Sequence, residues 1–292
     1  MRTGAPALAL LVLLGCVHGP THAARWRRLF DGGPRPLPPL EARLEWLRPA
    51  GGSGEDDRLA VLRAAPTARL EAHAAPEGDA KACGAECWSE RLGAPNAVWN
   101  AGFYGEGGRH VGLLKAGGHW LQASWQPHWR GLLLSSPLRA GLPAWQLVDL
   151  DGQPGAQAAA ERLFDDYDTV VQSMVLFDQH GRVRTEPSAR AAARTAVGVD
   201  RDGRLVVAVT YGPWTLEALA GALARLDPPV CWALNLDGGL ESQLSVRAEA
   251  GWALDLTARH GTRGALPDEW TARLPSRGLP AVLALRPARA AR

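Results

Sequence analysis

The run from Ala193 to Gly239, "ARTAVGVDRDGRLVVAVTYGPWTLEALAGALARLDPPVCWALNLDGG", constrains the fold of this chain more than any other segment. Thr195–Val199 and Arg204–Thr210 are rich in valine, and the Asp202-Gly203 pair between them favours the positive dihedrals of a hairpin turn. Thr215 is placed to cap a helix, with Glu217 near its positive end. Leu216, Leu219, Ala220, Leu223 and Leu226 then recur on one helical face, and Pro228 and Pro229 end it. Val230–Leu236 follows as a strand. Strand, turn, strand, helix, strand disfavours an all-helical fold and predicts an α+β domain, a strand-dominated sheet with a few packed helices.

The rest of the chain agrees. "DRLAVLRAA" and "ARLEAHAA" alternate apolar and polar residues as successive strands do, and "CGAECWSERLG" is helix-like up to Gly93. "HVGLLKAGGHWLQASW" reads as a hairpin turning at Ala116–Gly118, and "TVVQSMVLFDQHGRVR" as a strand pair turning at His180-Gly181. "AQAAAERLFDDY" suggests a short helix. Residues 24–57, with "GGPRPLPPL" and "PAGGSGEDD", have the composition of an irregular lead-in. Within it, "EARLEWLRP" fits a short strand or a helical turn.

Charge narrows the choice of partner. With 32 basic and 30 acidic side chains the net charge is +2, far from the dense cationic face that nucleic acids select. At the start, "MRTGAPALALLVLLGC" combines one basic residue, a short apolar run and a small residue before a cysteine, the build of an export signal over residues 1–23. The apolar run is shorter than the roughly 20 residues a spanning helix needs. Two processing routes fit: "LLGC" is similar to a lipoprotein box with Cys16 as the lipidated residue, and Thr21–Ala23 offers an ordinary cleavage site. The first is preferred, so contact with a membrane is expected only through a lipid anchor, and the location is periplasm or cell envelope. In such a compartment Cys83 and Cys87 form a disulfide if their segment is a loop, or remain two half-buried thiols if it is a straight helix. Cys231, in an apolar strand, reads as a small core residue.

Alternation along the strand entering "NLDGG" points Val230, Trp232, Leu234 and Leu236 to one face, and Cys231, Ala233, Asn235 and Asp237 to the other. The first face is core. The second is lined by small residues until it delivers an amide and a carboxylate, beside Gly238 and Gly239, which permit close approach of a ligand or another backbone. Taken alone, the segment reads first as a strand ending in an ordinary Asp-Gly turn.

Four segments occur in an order that resembles the phosphodiester glycosidase family: "NAVWNAGFY" (Asn96–Tyr104), "ARTAVGVDRDGRL" (Ala193–Leu205), "TLEALAGAL" (Thr215–Leu223) and "NLDGG" (Asn235–Gly239). "VVQSMVLFDQHGRV" and "LPAVLALRP" are also similar to family segments, so the resemblance spans one domain over residues 58–287, followed by a tail at 288–292. It implies an exported hydrolase that cleaves a sugar–phosphate linkage in an envelope or extracellular glycan. Because phosphate leaves readily, the chief needs are a carboxylate facing an oxocarbenium-like centre and groups that hold phosphate. On the resemblance, Asp237 is the nucleophile or general base and Arg194 the phosphate clamp, since guanidinium matches phosphate oxygens in pairs. Asn100, Gly102, Gln172, Ser173, Thr195, Asn235, Gly238 and Gly239 are the expected substrate-binding positions. Two departures stand out. Met174 and Val175 follow Gln172-Ser173 where Gly and Pro are usual, and Leu240-Glu241 precede Ser242 where small residues are usual. Glu241 reads as a rim residue or as a second carboxylate.

No cofactor is required by this chemistry, although Asp237 and Asn235 would equally offer oxygen ligands to calcium. Asp165, Asp166 and Asp168 in "FDDYD" read as a solvated acidic loop, and His110 and His180, beside glycine turns, as surface residues. Among the 12 tryptophans, Trp99, Trp125 and Trp129 are candidates for sugar stacking. The competing function is a carbohydrate-binding or envelope-assembly protein that keeps the fold without turnover.

Overall fold

Two antiparallel sheets face each other across one apolar core, and a short helix covers the outer side of each. The computed structural model describes residues 26–30, 33–52, 54–75, 83–105, 108–151, 154–248, 252–257 and 278–288. The expected export segment at 1–23, with Cys16, lies outside the described residues, as do residues 289–292 of the tail.

The main path of the larger sheet runs Trp26–Arg28, Ala42–Pro49, Leu59–Ala64, Leu205–Thr210, Thr195–Asp200, Val230–Asn235, Tyr167–Phe177, Gly131–Pro137 and Trp145–Asp149. The smaller sheet has five strands in the order Ala253–Thr257, Gln243–Arg247, Ala97–Asn100, Ala281–Arg286 and Arg69–Ala74. Alternation sorts the side chains between layers. Leu44, Leu62, Val197, Val207 and Leu234 of the larger sheet meet Leu70, Trp99, Leu244 and Leu283 of the smaller one in the central core. On the outer face of the larger sheet, Val61, Ala196, Val206 and Ala233 pack on Leu219, Ala220 and Leu223 of the helix Leu216–Ala224. Thr215 caps that helix, its hydroxyl accepting from the Ala218 N–H at 3.1 Å. The outer face of the smaller sheet holds Val98, Val282 and Ala284 against Trp88 of the helix Ala85–Arg91. The strand-dominated α+β domain expected from the sequence is the fold.

Several expectations need correction. The described residues of the segment 24–57 are no irregular lead-in: Trp26–Arg28, Arg35–Pro36 and Ala42–Pro49 are strands of the larger sheet, and Leu37, Leu40, Leu44 and Leu47 are buried. Proline and glycine in the flanking turns masked the alternation of Ala42, Leu44 and Trp46, which face the core. The small-residue face of the Val230 strand is not open either, because the helix Leu216–Ala224 covers it. Trp99 is fully buried and His110 nearly so, at 9% exposed, which removes the first as a stacking platform and the second from the surface. Cys83 and Cys87 are joined by a disulfide although Cys87 is helical, because Cys83 lies one residue before the N-cap Gly84 and need not follow the helical path.

Leu59–Ala64 and Arg69–Ala74 are neighbours in sequence yet belong to different sheets, so the chain crosses between layers at Ala65–Ala68. A second crossing runs from Leu236 to Ser242. It joins Val230–Asn235 of the larger sheet to Gln243–Arg247 of the smaller one, and it carries "LDGGLES".

Candidate active site

The second crossing is built by its glycines. A Cβ on Gly238 would sit 2.7 Å from the Ala193 carbonyl oxygen, a contact that no side chain tolerates. Gly239 adopts φ +72°, and its N–H donates to the same Ala193 carbonyl at 2.8 Å. Pinned there, the crossing turns through the 3₁₀ segment Gly239–Glu241 into the smaller sheet. This geometry leaves Asp237 at the junction of the two sheets.

Asp237 is held by its own crossing, by Asn100 at a strand end of the smaller sheet and by Tyr104. Its Oδ1 accepts from the Gly238 N–H at 2.8 Å and its Oδ2 from the Tyr104 N–H at 3.1 Å. Its main-chain carbonyl accepts from Asn100 Nδ2 at 3.1 Å and from the Ser242 hydroxyl at 3.4 Å. Burial, followed by the nearby charge of Glu241, pushes the Asp237 carboxyl up to about 7, against the two N–H donors and Arg190, which favour the ionised form. Asp237 is thus the carboxyl of this junction whose charge changes near neutrality.

Arg194 approaches from the start of the Thr195 strand. Its Nε donates to the Trp214 carbonyl and its Nη2 to the Arg190 carbonyl, each at 2.9 Å, while Nη1 lies 3.4 Å from the position of a Cβ on Gly238. Burial, then Arg190, lowers its pKa to about 10, and the Asp237 charge opposes that shift. It stays cationic at neutral pH. A carboxyl and a guanidinium therefore both lie against Gly238, the pair expected from the sequence.

The other expected positions divide. Asn235 is fully buried and neither atom of its amide has a hydrogen-bond partner among the described residues; Asn100 Oδ1 is likewise unpartnered. Such atoms cost free energy until a ligand or water meets them. The Ser173 hydroxyl donates to the Asn235 carbonyl and so fixes the strand end. Thr195 is fully buried, but Ala196 pairs with Asn235, so alternation turns Thr195 to the opposite face of the sheet. Gln172 is fully buried and its amide is spent on main-chain groups of Leu113, Gln126 and Trp129. Gly102 makes room: a Cβ there would lie 2.5 Å from His110 Nε2.

Sequence reasoning missed two contributors. The Tyr104 main-chain N–H binds the Asp237 carboxylate, while its side chain is a structural post whose hydroxyl donates to the Ala281 carbonyl and accepts from the Ala101 N–H. Burial raises that hydroxyl above the usual tyrosine range. His110 packs edge-on against Tyr104, with ring centroids 5.7 Å apart, and burial lowers its pKa to about 4, so it is neutral at pH 7. Glycine spacing around residue 102 was the only available signal for His110. Among the described residues no group of three or more His, Cys, Asp and Glu is arranged to hold a metal, and Asp166 is instead ion-paired with Arg139.

The comparisons agree with this architecture. No curated protein sequence matches the chain. Of the solved structures, 12 chains match. One is the catalytic domain of zebrafish N-acetylglucosamine-1-phosphodiester α-N-acetylglucosaminidase, auto-inhibited by its pro-peptide, with TM-score 0.54 and 14% identity over 94% of this chain and 86% of that one. Another is a hypothetical protein from Synechocystis, with TM-score 0.49 and 14% identity over 89% of this chain and 71% of its own. At such identity the first likeness speaks for the fold alone. The family model for phosphodiester glycosidases matches residues 94–271, more than half of the sequence, and the chain belongs to that family.

Proposed function

We propose that this protein is an exported hydrolase that cleaves a glycosyl phosphodiester in an envelope or extracellular glycan. The observation that carries the reading is that the Asp237 carboxyl and the Arg194 guanidinium both lie against Gly238, at the junction of the two sheets. In the proposed reaction the bond between the anomeric carbon and the phosphate oxygen breaks and the phosphomonoester leaves with the bonding electrons. Arg194 holds a phosphate oxygen and offsets the charge that develops there. Water adds to the anomeric carbon and Asp237, in its ionised form, takes its proton. A pKa near 7 suits a general base, which must be both ionised and basic at working pH. Asn100 and Asn235, with unpartnered buried amide atoms, orient the substrate.

Export rests on the first 23 residues, with Cys16 as the lipidated position, and the Cys83–Cys87 disulfide supports an oxidising compartment. No helix of the described residues is long and apolar enough to cross a membrane.

The test is hydrolysis of alkyl-phosphate and aryl-phosphate diesters of several sugars by wild type, Asp237→Asn and Arg194→Ala. Cleavage by wild type that falls at least 100-fold (on the order of 3 kcal/mol) in both folded variants is the expected result. A folded wild type that binds the sugar phosphates and cleaves none overturns it in favour of a carbohydrate-binding protein.

A further inference from the structure

We infer that Trp129 and Phe103 form an aromatic subsite that stacks on a sugar ring of the substrate beside Asp237; this rests on the hydrolase reading above. Their ring centroids lie 4.5 Å apart with planes tilted by 41°, and both residues are only half-buried. Phe103 directly precedes Tyr104, whose N–H holds the Asp237 carboxylate. In the short ribbon formed with His110–Val111, Phe103 pairs with Val111 and Tyr104 with His110. Successive side chains therefore leave on opposite faces. Tyr104 goes to its post on Ala281, and Phe103 goes to the other side, onto Trp129.

Trp129 is placed there by a dedicated support. Gln172 is fully buried, and its Oε1 accepts from the N–H groups of Leu113 at 3.1 Å and Gln126 at 2.9 Å. Its Nε2 donates to the carbonyls of Gln126 and Trp129, each at 2.8 Å. A buried amide with all four positions filled fixes both ends of the turn that carries the indole. Gly112, at φ +79°, supplies the space: a Cβ there would stand 2.9 Å from the Trp129 ring and 3.0 Å from Gln172 Oε1. A rigid aromatic wall next to a few polar groups is the composition of a small-molecule site, and the apolar C–H face of a sugar ring is the surface such a wall fits. Gln172 is accordingly a positioning residue, not a substrate ligand.

The experiment pairs steady-state hydrolysis of a methyl phosphodiester of N-acetylglucosamine 1-phosphate with saturation-transfer NMR of the same diester bound to the inactive Asp237→Asn protein. Trp129→Leu and Phe103→Leu keep apolar bulk and guard against a loop that fails to fold; Trp129→Phe restores a ring. In the two leucine variants KM is expected to rise at least 10-fold, kcat to change less than 3-fold, and saturation of the sugar ring protons to fall, with recovery in Trp129→Phe. Hydrolysis with KM and saturation unchanged in both leucine variants overturns the subsite and leaves the hydrolase reading standing. Saturation that depends on Trp129, in a protein that hydrolyses no diester, supports the subsite and overturns the hydrolase reading.

Discussion

Asn100, the last residue of a strand in the smaller sheet, donates its side-chain amide to the main-chain carbonyl of Asp237 at 3.1 Å, on the crossing that leaves the larger sheet. This bond, with that from the Tyr104 N–H to the Asp237 carboxylate, ties a residue that follows a strand of the larger sheet to the smaller sheet and to the short ribbon that contains Tyr104. The position of Asp237 thus depends on how the two sheets sit against each other.

With Asp237 as the proposed base, its pKa of about 7 predicts a pH-dependent hydrolysis. As a base it works when ionised, so kcat/KM should rise as pH increases through about 7 and level above it. A profile that falls through the same range would assign Asp237 as a general acid. Stability moves the other way. A carboxyl raised in the folded state stabilises the fold fully below its unfolded pKa and loses that contribution as pH climbs through the folded value. Between pH 4 and pH 8 the stability of Asp237→Asn relative to wild type should therefore improve, by about 2–4 kcal/mol. Urea denaturation at the two pH values measures the difference.

Gly238→Ala tests the partner cation. The new methyl must displace either the Ala193 carbonyl, 2.7 Å away, or the crossing itself, and Arg194 Nη1 at 3.4 Å has to give way. Loss of kcat/KM by at least 10-fold is expected, with a stability loss of about 1–3 kcal/mol from overpacking. Activity at the wild-type level would separate Gly238 from the site.

Far from the site, Arg63 and Asp200 form an ion pair at 2.6 Å with both side chains fully buried. Arg63 also donates to the Pro228 carbonyl at 2.7 Å, and Asp200 accepts from the N–H groups of Asp202 and Arg204 in the hairpin turn. Removing one partner strands the other charge. Arg63→Met should cost about 3–5 kcal/mol, and Arg63→Met with Asp200→Asn less than that single change, because no buried charge is left unpaired. Thermal unfolding of both variants decides it.

Disulfide reduction offers a fourth measurement. Cys83–Cys87 closes a small loop at the start of the helix whose Ala85 N–H binds Gln243, just beyond the crossing. Cys83→Ala with Cys87→Ala should destabilise the protein by about 2 kcal/mol, the entropy of closing so short a loop. Reductant should lower the melting temperature of wild type at least to that of the unreduced double variant.

Local chemistry made much of this legible from the sequence. Valine-rich runs around Asp202-Gly203, the Thr215 cap and the leucine face of the following helix each act within a few residues, and the structure has each where the pattern put it. The ordered family segments single out Asp237, Arg194 and Gly238, and the structure brings the three together. For Ala42–Pro49 the sequence fits a strand or a helical turn, and only the tertiary pairing decides for the strand. Its pairing with Leu59–Ala64 depends on a partner strand, whereas composition reported only the prolines and glycines of its turns.

What the sequence by itself determined was the kind of fold, its strands and helices, and the residue types available for chemistry. Only the tertiary structure decided their company. Gln172 became a support for Trp129, His110 went inside against Gly102, and Thr195 turned away from Asn235. These outcomes depend on which sheet each strand joins and which face it shows there. Such choices depend on contacts between elements, from Gln172 with Trp129 to Asn100 with Asp237, that lie tens to more than a hundred positions apart, and no local pattern encodes them.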